Sequence, residues 1–406
     1  MKRLQWLAFL LAAIAIVSRR PDVVLRPQFY AEDGVIWYAQ AYNLGWLHAL
    51  SLPEGGYLNT LPRLAAALAL LVPLHAAPLV MNLLGIAIQV LPVNVLLSPR
   101  CAAYGSFPVR LFLAAIYLAL PNSNEVFVVI TNAQFHLALA ACLLAFARPP
   151  ATWLGRIFDV AVFLVSGLTG PFCLVLLPLA AVFWWIRRGR WLVTVMSVLT
   201  LTSLVQMSQL FHTGHAARGV PDLGATPALF ARILAGHVYL GSLIGRNGYA
   251  HWKPMTFLLP VALAGTALLV YSFLKAGLER KLVLLFCFLL FAASLWHPLA
   301  SRPVAVWELF IESRGMRYWF FPMLGFLWSL VWQATQPGPQ RPVFSLVLLL
   351  LARGVIFDWR QLAPPNLDFP SSARKFEAAP KGTLVEIPTL PEGWTMRLTK
   401  RETLSN

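Results

Sequence analysis

Two adjacent carboxylates stand out in PQFYAEDGVIWYAQAYNLG, residues 27–45. Glu32 and Asp33 follow the first apolar segment of a chain in which only 16 of 406 residues are acidic. A carboxylate beside a bilayer loses hydration, so its presence calls for a reason. A carboxylate base can take the proton of an attacking hydroxyl group. The structural alternative is that Asp33 caps a helix beginning at the next residues. The aromatic residues that follow would then form an interfacial belt: Trp37, Tyr38, Tyr42 and Trp46.

A further acid, Glu125, lies in PNSNEVFVVITNAQFHL, residues 121–137. In the functional interpretation, the carboxylate of Glu125 faces the same cavity as Asp33. The structural alternative is a helix-start acid favoured by the helix dipole. Guanidinium groups suit phosphate because their planar fork binds two oxygens at once. The candidate phosphate-binding cations, each also open to a purely structural role, are Arg63, Arg218, Arg232, Arg246, Lys253, Arg302, Arg314 and Arg317.

The elements that position these residues are predicted to be membrane helices. Hydrophobic residues make up 59% of the chain and charged residues 12%, well below the quarter typical of soluble domains. Apolar blocks long enough to cross a ~30 Å hydrocarbon core recur, and they lack the alternation of barrel strands. The net charge of +16 gathers in short loops, which indicates orientation in a membrane rather than nucleic-acid binding. The composition therefore predicts an all-α polytopic membrane protein.

Eleven spans give a consistent topology with a cytoplasmic N terminus and an extracytoplasmic C terminus. The predicted cytoplasmic loops hold 13 Lys and Arg residues with two acids, whereas the longer outer segments hold 19 with 14 acids. The first span is predicted to be a retained anchor, since "RRP" stands where a signal cleavage site would be expected. The predicted spans are 4–18, 79–97, 109–121, 127–147, 157–169, 171–186, 191–211, 254–274, 281–297, 318–335 and 342–357.

Two apolar stretches are predicted to stay on the outer side. Residues 60–78 are bounded by prolines, and about 14 helical residues reach only about 21 Å, so an interfacial helix is expected. Residues 229–248 carry Arg232, His237 and Arg246, which favours an outer, partly re-entrant helix. Full crossing by either stretch would place basic loops on the outer side.

The chain is predicted to divide into a transmembrane domain, 1–357, and a small extracytoplasmic tail, 358–406. The first outer loop of the transmembrane domain is 19–78, with juxtamembrane helices. In the tail, "GTLVEIP" and "WTMRLTK" alternate in polarity and are separated by "TLPEG". This pattern predicts a β-hairpin.

The order of these segments resembles the GT-C class of membrane glycosyltransferases. The residues that carry the resemblance are an acid, an aromatic four positions later and an alanine eight positions later: Asp33, Trp37 and Ala41. "GGYLNTLPRLAAAL", 55–68, looks like the proline-led second segment of that class's first outer loop. Residues 121–137 look like its second outer corner. The resemblance covers about the first 210 residues, and its motifs are short. The chain departs from the pattern in placing Gly34 directly after the acid pair, so Glu32 is an alternative to Asp33 as the base.

The resemblance implies an inverting transfer of a sugar from a polyprenyl-phosphate donor to a saccharide or lipid acceptor on the outer face of a membrane. The expected catalytic residues are Asp33 and Glu32. The expected substrate-binding residues are Glu125, Arg63, Tyr57, Asn59, Arg218, Arg246, Arg314 and Arg317. A lipid phosphate leaves as an anion, so the scheme needs cations and no general acid. The expected setting is a bacterial inner membrane, with membrane lipids and no nucleic acid as partners.

No cofactor motif is visible, and no metal-ligating residues are assigned. His212 and His215 lack the further ligands that a zinc or manganese site needs, and no nucleotide-binding loop is present. Dependence on a divalent cation such as Mg²⁺ or Mn²⁺ stays open. One alternative function is an O-antigen ligase-like or polymerase-like enzyme built on His212, His215 and Arg218. Another is a non-enzymatic transporter of lipid-linked saccharides, which would need polar residues within the spans.

Overall fold

The computed structural model describes residues 2–213, 222–250, 254–298, 305–311 and 315–401. The described chain is mostly helical and ends in one two-stranded sheet. Its α-helices are α1 (Lys2–Arg19), α2 (Asp22–Leu25), α3 (Ala39–Leu44), α4 (Trp46–Ser51), α5 (Thr60–Ala69), α6 (Ala77–Leu97), α7 (Phe107–Ala119), α8 (Ala133–Ala145), α9 (Trp153–Gly167), α10 (Phe172–Arg187), α11 (Arg190–Thr213), α12 (Pro227–Arg232), α13 (Gly241–Ala250), α14 (Met255–Lys275), α15 (Leu278–Trp296), α16 (Val306–Ile311), α17 (Phe320–Ala334), α18 (Arg341–Leu349), α19 (Leu351–Asp358) and α20 (Phe369–Ala378).

Shorter or wider helical turns join several of these helices. Asp33–Tyr38 is a π-helix that continues into α3, and Ile233–Leu240 is a π-helix between α12 and α13. Such i→i+5 turns are rare and are frequently found at functional sites. Four 3₁₀ segments complete the helical structure: Leu74–Ala76, Pro99–Tyr104, Asn124–Val126 and Met316–Trp319.

Four helices among the described residues are long and apolar enough to cross a membrane: Leu74–Leu97, Arg190–His212, Pro227–Arg246 and Met255–Lys275. Shorter apolar helices are Gln5–Arg19, Phe107–Ala119, Ala133–Ala145 and Phe172–Arg187. These lengths support membrane character. The count of eleven crossings stays a prediction. One of the four, Pro227–Arg246, overlaps residues 229–248, which the sequence predicts to stay on the outer side. Its length and composition are also sufficient for a crossing.

The loops that the sequence assigns to the cytoplasm meet at one end of the molecule, which we call the Asp159 end. Arg100 donates to both carboxylate oxygens of the fully buried Asp159 and to the carbonyl of Arg148. Arg187 pairs with Glu279, and Arg280 donates to the carbonyl of Ala103. These contacts join residues 98–105, 148–159, 187 and 279–280.

The segments that the sequence assigns to the outer side meet at the opposite end, which we call the Asp33 end. The buried Arg19 guanidinium donates to the carbonyls of Leu118, Leu120 and Asp358. The Asp358 carboxylate accepts from the backbone N–H groups of Asn122 and Arg246. Gln206, near the end of α11, bonds to Leu58, Gly167 and Gly170. The first outer loop, the second outer corner and the tail therefore lie together.

Two of the predicted spans have different boundaries in the structure. Helix α8 covers only Ala133–Ala145, because residues 127–132 form an irregular segment in which Val128 has a φ of 50°. Residues 341–358 form two short helices, α18 and α19, rather than one. The irregular segment matters for the site, because it leaves backbone and hydroxyl donors of residue 131 available.

The predicted β-hairpin is confirmed. Strand β1 (Leu384–Thr389) pairs antiparallel with β2 (Trp394–Thr399), with Glu386 opposite Arg397. The hairpin docks on the first outer loop: the N–H of Leu390 donates to the carbonyl of Phe29, and its carbonyl accepts from the N–H of Ala31. Gly34 favours this close docking, since a Cβ there would lie 3.2 Å from Thr389 Cγ2 of the hairpin and 2.8 Å from Phe29 Cβ in the loop itself. The tail therefore packs directly beside Glu32 and Asp33.

Candidate functional site

Asp33 begins the π-helix but does not cap it, so the interpretation of this residue as a simple helix cap is wrong. Its side chain is 2% exposed and makes no capping bond to that helix. Instead, Oδ1 accepts from the hydroxyl of Thr131 at 2.6 Å and from the backbone N–H of Thr131 at 3.1 Å. Burial raises the pKa of Asp33 to about 7, although the bonds from Thr131 act in the opposite direction. A carboxylate that titrates near neutral pH is suited to accept a proton.

A chain of contacts leads from Thr131 to a buried arginine. Trp37 Nε1 donates to the Thr131 hydroxyl at 2.7 Å. The guanidinium carbon of Arg63 lies 4.9 Å from the centroid of the Trp37 ring, within cation–π range. Arg63 Nη1 donates to Gln40 Oε1 at 2.9 Å. Trp37 therefore connects the acid and the cation of the site, which gives a physical reason for an aromatic residue four positions after Asp33.

Arg63 is almost completely buried, with 1% of its surface exposed. Its Nε and Nη2 atoms are buried and have no hydrogen-bond partner within the described part of the chain. Burial lowers the pKa of Arg63 to about 10, with an opposing effect from Glu54, so the group stays charged at neutral pH. A buried cation with unused donors is costly unless an anion satisfies them.

Glu125 forms an ion pair with Arg317 rather than starting a long helix. It lies in the 3₁₀ turn Asn124–Val126, well before α8. Arg317 binds its carboxylate through the guanidinium, and the backbone N–H of Arg317 donates to Oε2 at 3.1 Å. Burial alone would lower the pKa of Arg317, but Glu125 and Tyr318 raise it overall, so the guanidinium stays protonated. Asn132 fixes this turn by donating to the Glu125 carbonyl at 2.7 Å.

Asp33 and Glu125 are thus held by the same corner, residues 124–132. Tyr30 lies in the electrostatic field of both acids. Burial raises the pKa of Tyr30, and the Glu125 carboxylate adds to this effect, so its phenol stays neutral and can donate a hydrogen bond. Glu32 lies beside them, half-buried, and its carboxylate makes no hydrogen bond to the described residues. The structure therefore places Glu32, Asp33 and Glu125 within electrostatic range of the Tyr30 phenol.

Buried polar side chains beneath the corner hold it in place. His136 Nε2 donates to the carbonyl of Val126 at 2.7 Å, and the Tyr117 hydroxyl oxygen lies 2.8 Å from His136 Nδ1 and 2.7 Å from the carbonyl oxygen of Gln89. Gln89 Oε1 accepts from the backbone N–H of Val128 at 3.2 Å. These groups lie within α6, α7 and α8. His136 and Gln89 bond to the backbone of Val126 and Val128 and so support the segment that carries Thr131.

The remaining predicted binding residues differ in their surroundings. Asn59 is 4% exposed and donates to the carbonyls of Glu54 and Tyr57, so its amide nitrogen holds a turn. Tyr57 is half-buried in that turn. Arg246 is exposed on the other side of the corner, where its backbone bonds to Asp358. Arg218 and Arg314 lie outside the described residues, as does His215.

No group of three or more His, Cys, Asp and Glu side chains within the described ranges could hold a metal ion.

No protein-family model matches the sequence, and no curated protein matches it.

Several residues of the site were not found from the sequence. Thr131 is an isolated threonine within an apolar stretch, and only a contact across 98 positions reveals its role. Tyr30 and Gln40 are likewise ordinary in their local sequence. Their nearness to the acid pair was the one available signal, because a helix places residue 40 about two turns after residue 33.

Proposed function

We propose that the protein is an inverting membrane glycosyltransferase that moves a sugar from a polyprenyl-phosphate donor to an acceptor at the outer face of the membrane. The observation that carries the proposal is the buried Asp33, which is held by Thr131 and titrates near neutral pH. The order of the acid, the aromatic residue and the alanine, with its resemblance to the GT-C class, supports the same assignment.

The contacts at the two ends of the molecule support the proposal that the site lies on the outer side of the membrane. Predicted cytoplasmic loops contact one another at the Asp159 end, and predicted outer segments contact one another at the Asp33 end. Residues 27–45 and the tail hairpin also touch, so an even number of crossings separates them. Ten spans after residue 45 satisfy this condition. If α12 and α13 formed an eleventh span, the number would be odd and the condition would fail. Arg246, in α13, bonds to Asp358 at the Asp33 end.

In the proposed reaction, the Asp33 carboxylate accepts the proton of an acceptor hydroxyl. That oxygen attacks the anomeric carbon while the bond from this carbon to the phosphate oxygen breaks. The electron pair leaves with the lipid phosphate, which departs as an anion, and the anomeric configuration inverts. Oδ1 of Asp33 already accepts two bonds from Thr131, so the hydroxyl approaches Oδ2. The Thr131 bonds stabilise the ionised base and fix its orientation.

Arg63 is the proposed main partner of the donor phosphate. Its buried Nε and Nη2 donors have no partner among the described residues, and a phosphate oxygen would satisfy them. Arg317 is held by Glu125 and contributes positive charge nearby, with a smaller role in direct binding. The exposed apolar surface of the helices gives the polyprenyl chain an environment like the bilayer interior. We place the protein in a bacterial inner membrane on the strength of the resemblance alone.

The donor class and the stereochemistry test this proposal directly. Purified wild-type protein in liposomes is offered radiolabelled sugars on polyprenyl phosphate, on polyprenyl diphosphate and on a nucleotide, together with an envelope saccharide extract. We expect transfer from the monophosphate donor only, with an inverted anomeric configuration in the product. Transfer from the diphosphate donor instead would favour a ligase-like or polymerase-like enzyme. Movement of lipid-linked saccharide across the bilayer without bond cleavage would favour a transporter.

A further inference from the structure

A cavity of about 530 Å³ lies between the helix that follows Asp33 and the tail hairpin. One wall is the face of the first outer loop's helix, and the other is one face of β2 with the turn before it. The lining residues are Val35, Ala39, Gln40, Asn43, Leu44, Gly393, Thr395 and Arg397. We propose that this cavity binds the saccharide of the acceptor, an inference that rests on the proposed transferase function.

The chemistry of the lining favours an oxygen-rich ligand. Gln40, Thr395 and Arg397 supply hydrogen-bond donors, and none of the described residues that line the cavity is acidic. Gln40 uses its amide oxygen to accept from Arg63, and its amide nitrogen has no partner among the described residues. The apolar part of the lining, Val35, Ala39 and Leu44, belongs to the same helix wall as Gln40. A saccharide presents hydroxyl groups at its edges and C–H groups on its ring faces, which matches the polar and the apolar lining residues. The cavity also has the size of typical ligand pockets, about 300–1,000 Å³.

The cavity is connected to the proposed base. Seven residues separate Gln40 from Asp33, which is roughly 10 Å along a helix at 1.5 Å per residue. The contacts through Arg63, Trp37 and Thr131 join the cavity wall to the Asp33 carboxylate. An acceptor held by Gln40 therefore extends along this helix toward Asp33, so we expect an oligosaccharide rather than a single sugar.

The hairpin wall is fixed to the helix rather than free to open. Asn43 Nδ2 donates to the carbonyl of Arg397 at 2.9 Å, and Asn43 Oδ1 accepts from the N–H of Thr399 at 3.0 Å. Arg397 also pairs with Glu386 across the hairpin at 2.9 Å, which orients its guanidinium. Thr395 and Arg397 alternate with the buried Met396, so both lie on the face away from the hairpin core. The tail thus supplies side chains that select the acceptor.

Thiol labelling tests this inference without relying on catalysis. The four native cysteines are all free and buried, so an introduced thiol at the cavity would be labelled selectively by a maleimide. The test variant is Thr395→Cys, and the matched control is Leu384→Cys, on the same hairpin but 57% exposed and outside the cavity. The probe is the water-soluble oligosaccharide fraction released from the cell envelope, compared with an envelope peptide fraction. Both variants are measured in the wild-type and Asp33→Asn backgrounds.

We expect the oligosaccharide fraction to slow labelling of Thr395→Cys by about tenfold at about ten times its Kd, as mass action requires. Labelling of Leu384→Cys should be unchanged, and the Asp33→Asn background should give the same protection. Protection by the peptide fraction alone, or no protection, would overturn the inference. Protection that persists when sugar transfer is not detected would refute the transferase and leave the saccharide site in place. Transfer without protection would refute this site alone.

Discussion

The hydroxyl of Thr131 should set the pH at which the protein becomes active. Thr131→Val keeps the branched shape but removes the 2.6 Å bond to Asp33. A hydrogen bond to a charged group contributes about 1.5–3 kcal/mol, and one pKa unit corresponds to about 1.4 kcal/mol. Since the lost bond stabilises the ionised carboxylate, the pKa of Asp33 should rise from about 7 by at least about one unit. The ionised fraction at pH 7 then falls from about one half to about one tenth.

The assay is the pH dependence of sugar transfer by purified protein between pH 5 and pH 10. We expect the rising limb of the Thr131→Val profile to move to higher pH and its activity to recover above about pH 9. Thr131→Ser retains the hydroxyl and is the matched control, so its limb should stay near that of the wild type. An unmoved limb in Thr131→Val, or an equal movement in both variants, would refute the assignment of Thr131 to Asp33.

Three further predictions concern stability. Because burial raises the pKa of Asp33 from 3.8 to about 7, ionisation opposes folding. Stability should be fully present below pH 4 and decline by at most about 4 kcal/mol as the pH rises through 7. Asp33→Asn should abolish this decline in thermal unfolding curves, and an identical decline would contradict the burial argument. Asn43→Ala removes two hydrogen bonds to the hairpin, so limited proteolysis should cleave the tail faster in this variant than in the control Asn366→Ala. Equal cleavage rates would show that these bonds do not hold the tail. Arg317→Met should lower the unfolding free energy by about 2–3 kcal/mol, because Glu125 loses its partner, and adding Glu125→Gln should restore most of it. Additive losses in that cycle would mean that the ion pair contributes little.

Local hydrophobic patterns in the sequence predicted the helices and strands better than the irregular segments that join them. The alternation in "GTLVEIP" and "WTMRLTK" yields the hairpin, since side chains in a strand alternate between faces. The apolar blocks likewise correspond to helices, because only helices satisfy the backbone of such stretches in lipid. The irregular segment 127–132 was predicted as helix, because Val, Ile and Phe there are as apolar as a span. Its conformation depends on contacts with Gln89 and Asp33 that are distant in sequence.

The charged residues of the site could be predicted from the sequence, but the residues that they contact could not. Asp33 and Arg63 were predicted as site residues because they are charged residues in apolar surroundings, and buried charges need a functional or structural partner. That Glu125 pairs with Arg317, 192 positions away, depends on how α8 and α17 pack. The docking of the tail beside Asp33 was also hidden, since strand patterning predicts a hairpin without indicating the surface that it covers.

The most direct test of the central claim is sugar transfer by Asp33→Asn, which keeps the shape of the side chain and removes the base. In single-turnover reactions with a polyprenyl-phosphate sugar, we predict that transfer slows by about 10²–10⁴-fold while donor affinity is little changed. Glu32→Gln, its neighbour in sequence, should retain most of the activity. Transfer at the wild-type rate by Asp33→Asn would contradict the account, and selective loss in Glu32→Gln would move the base to Glu32.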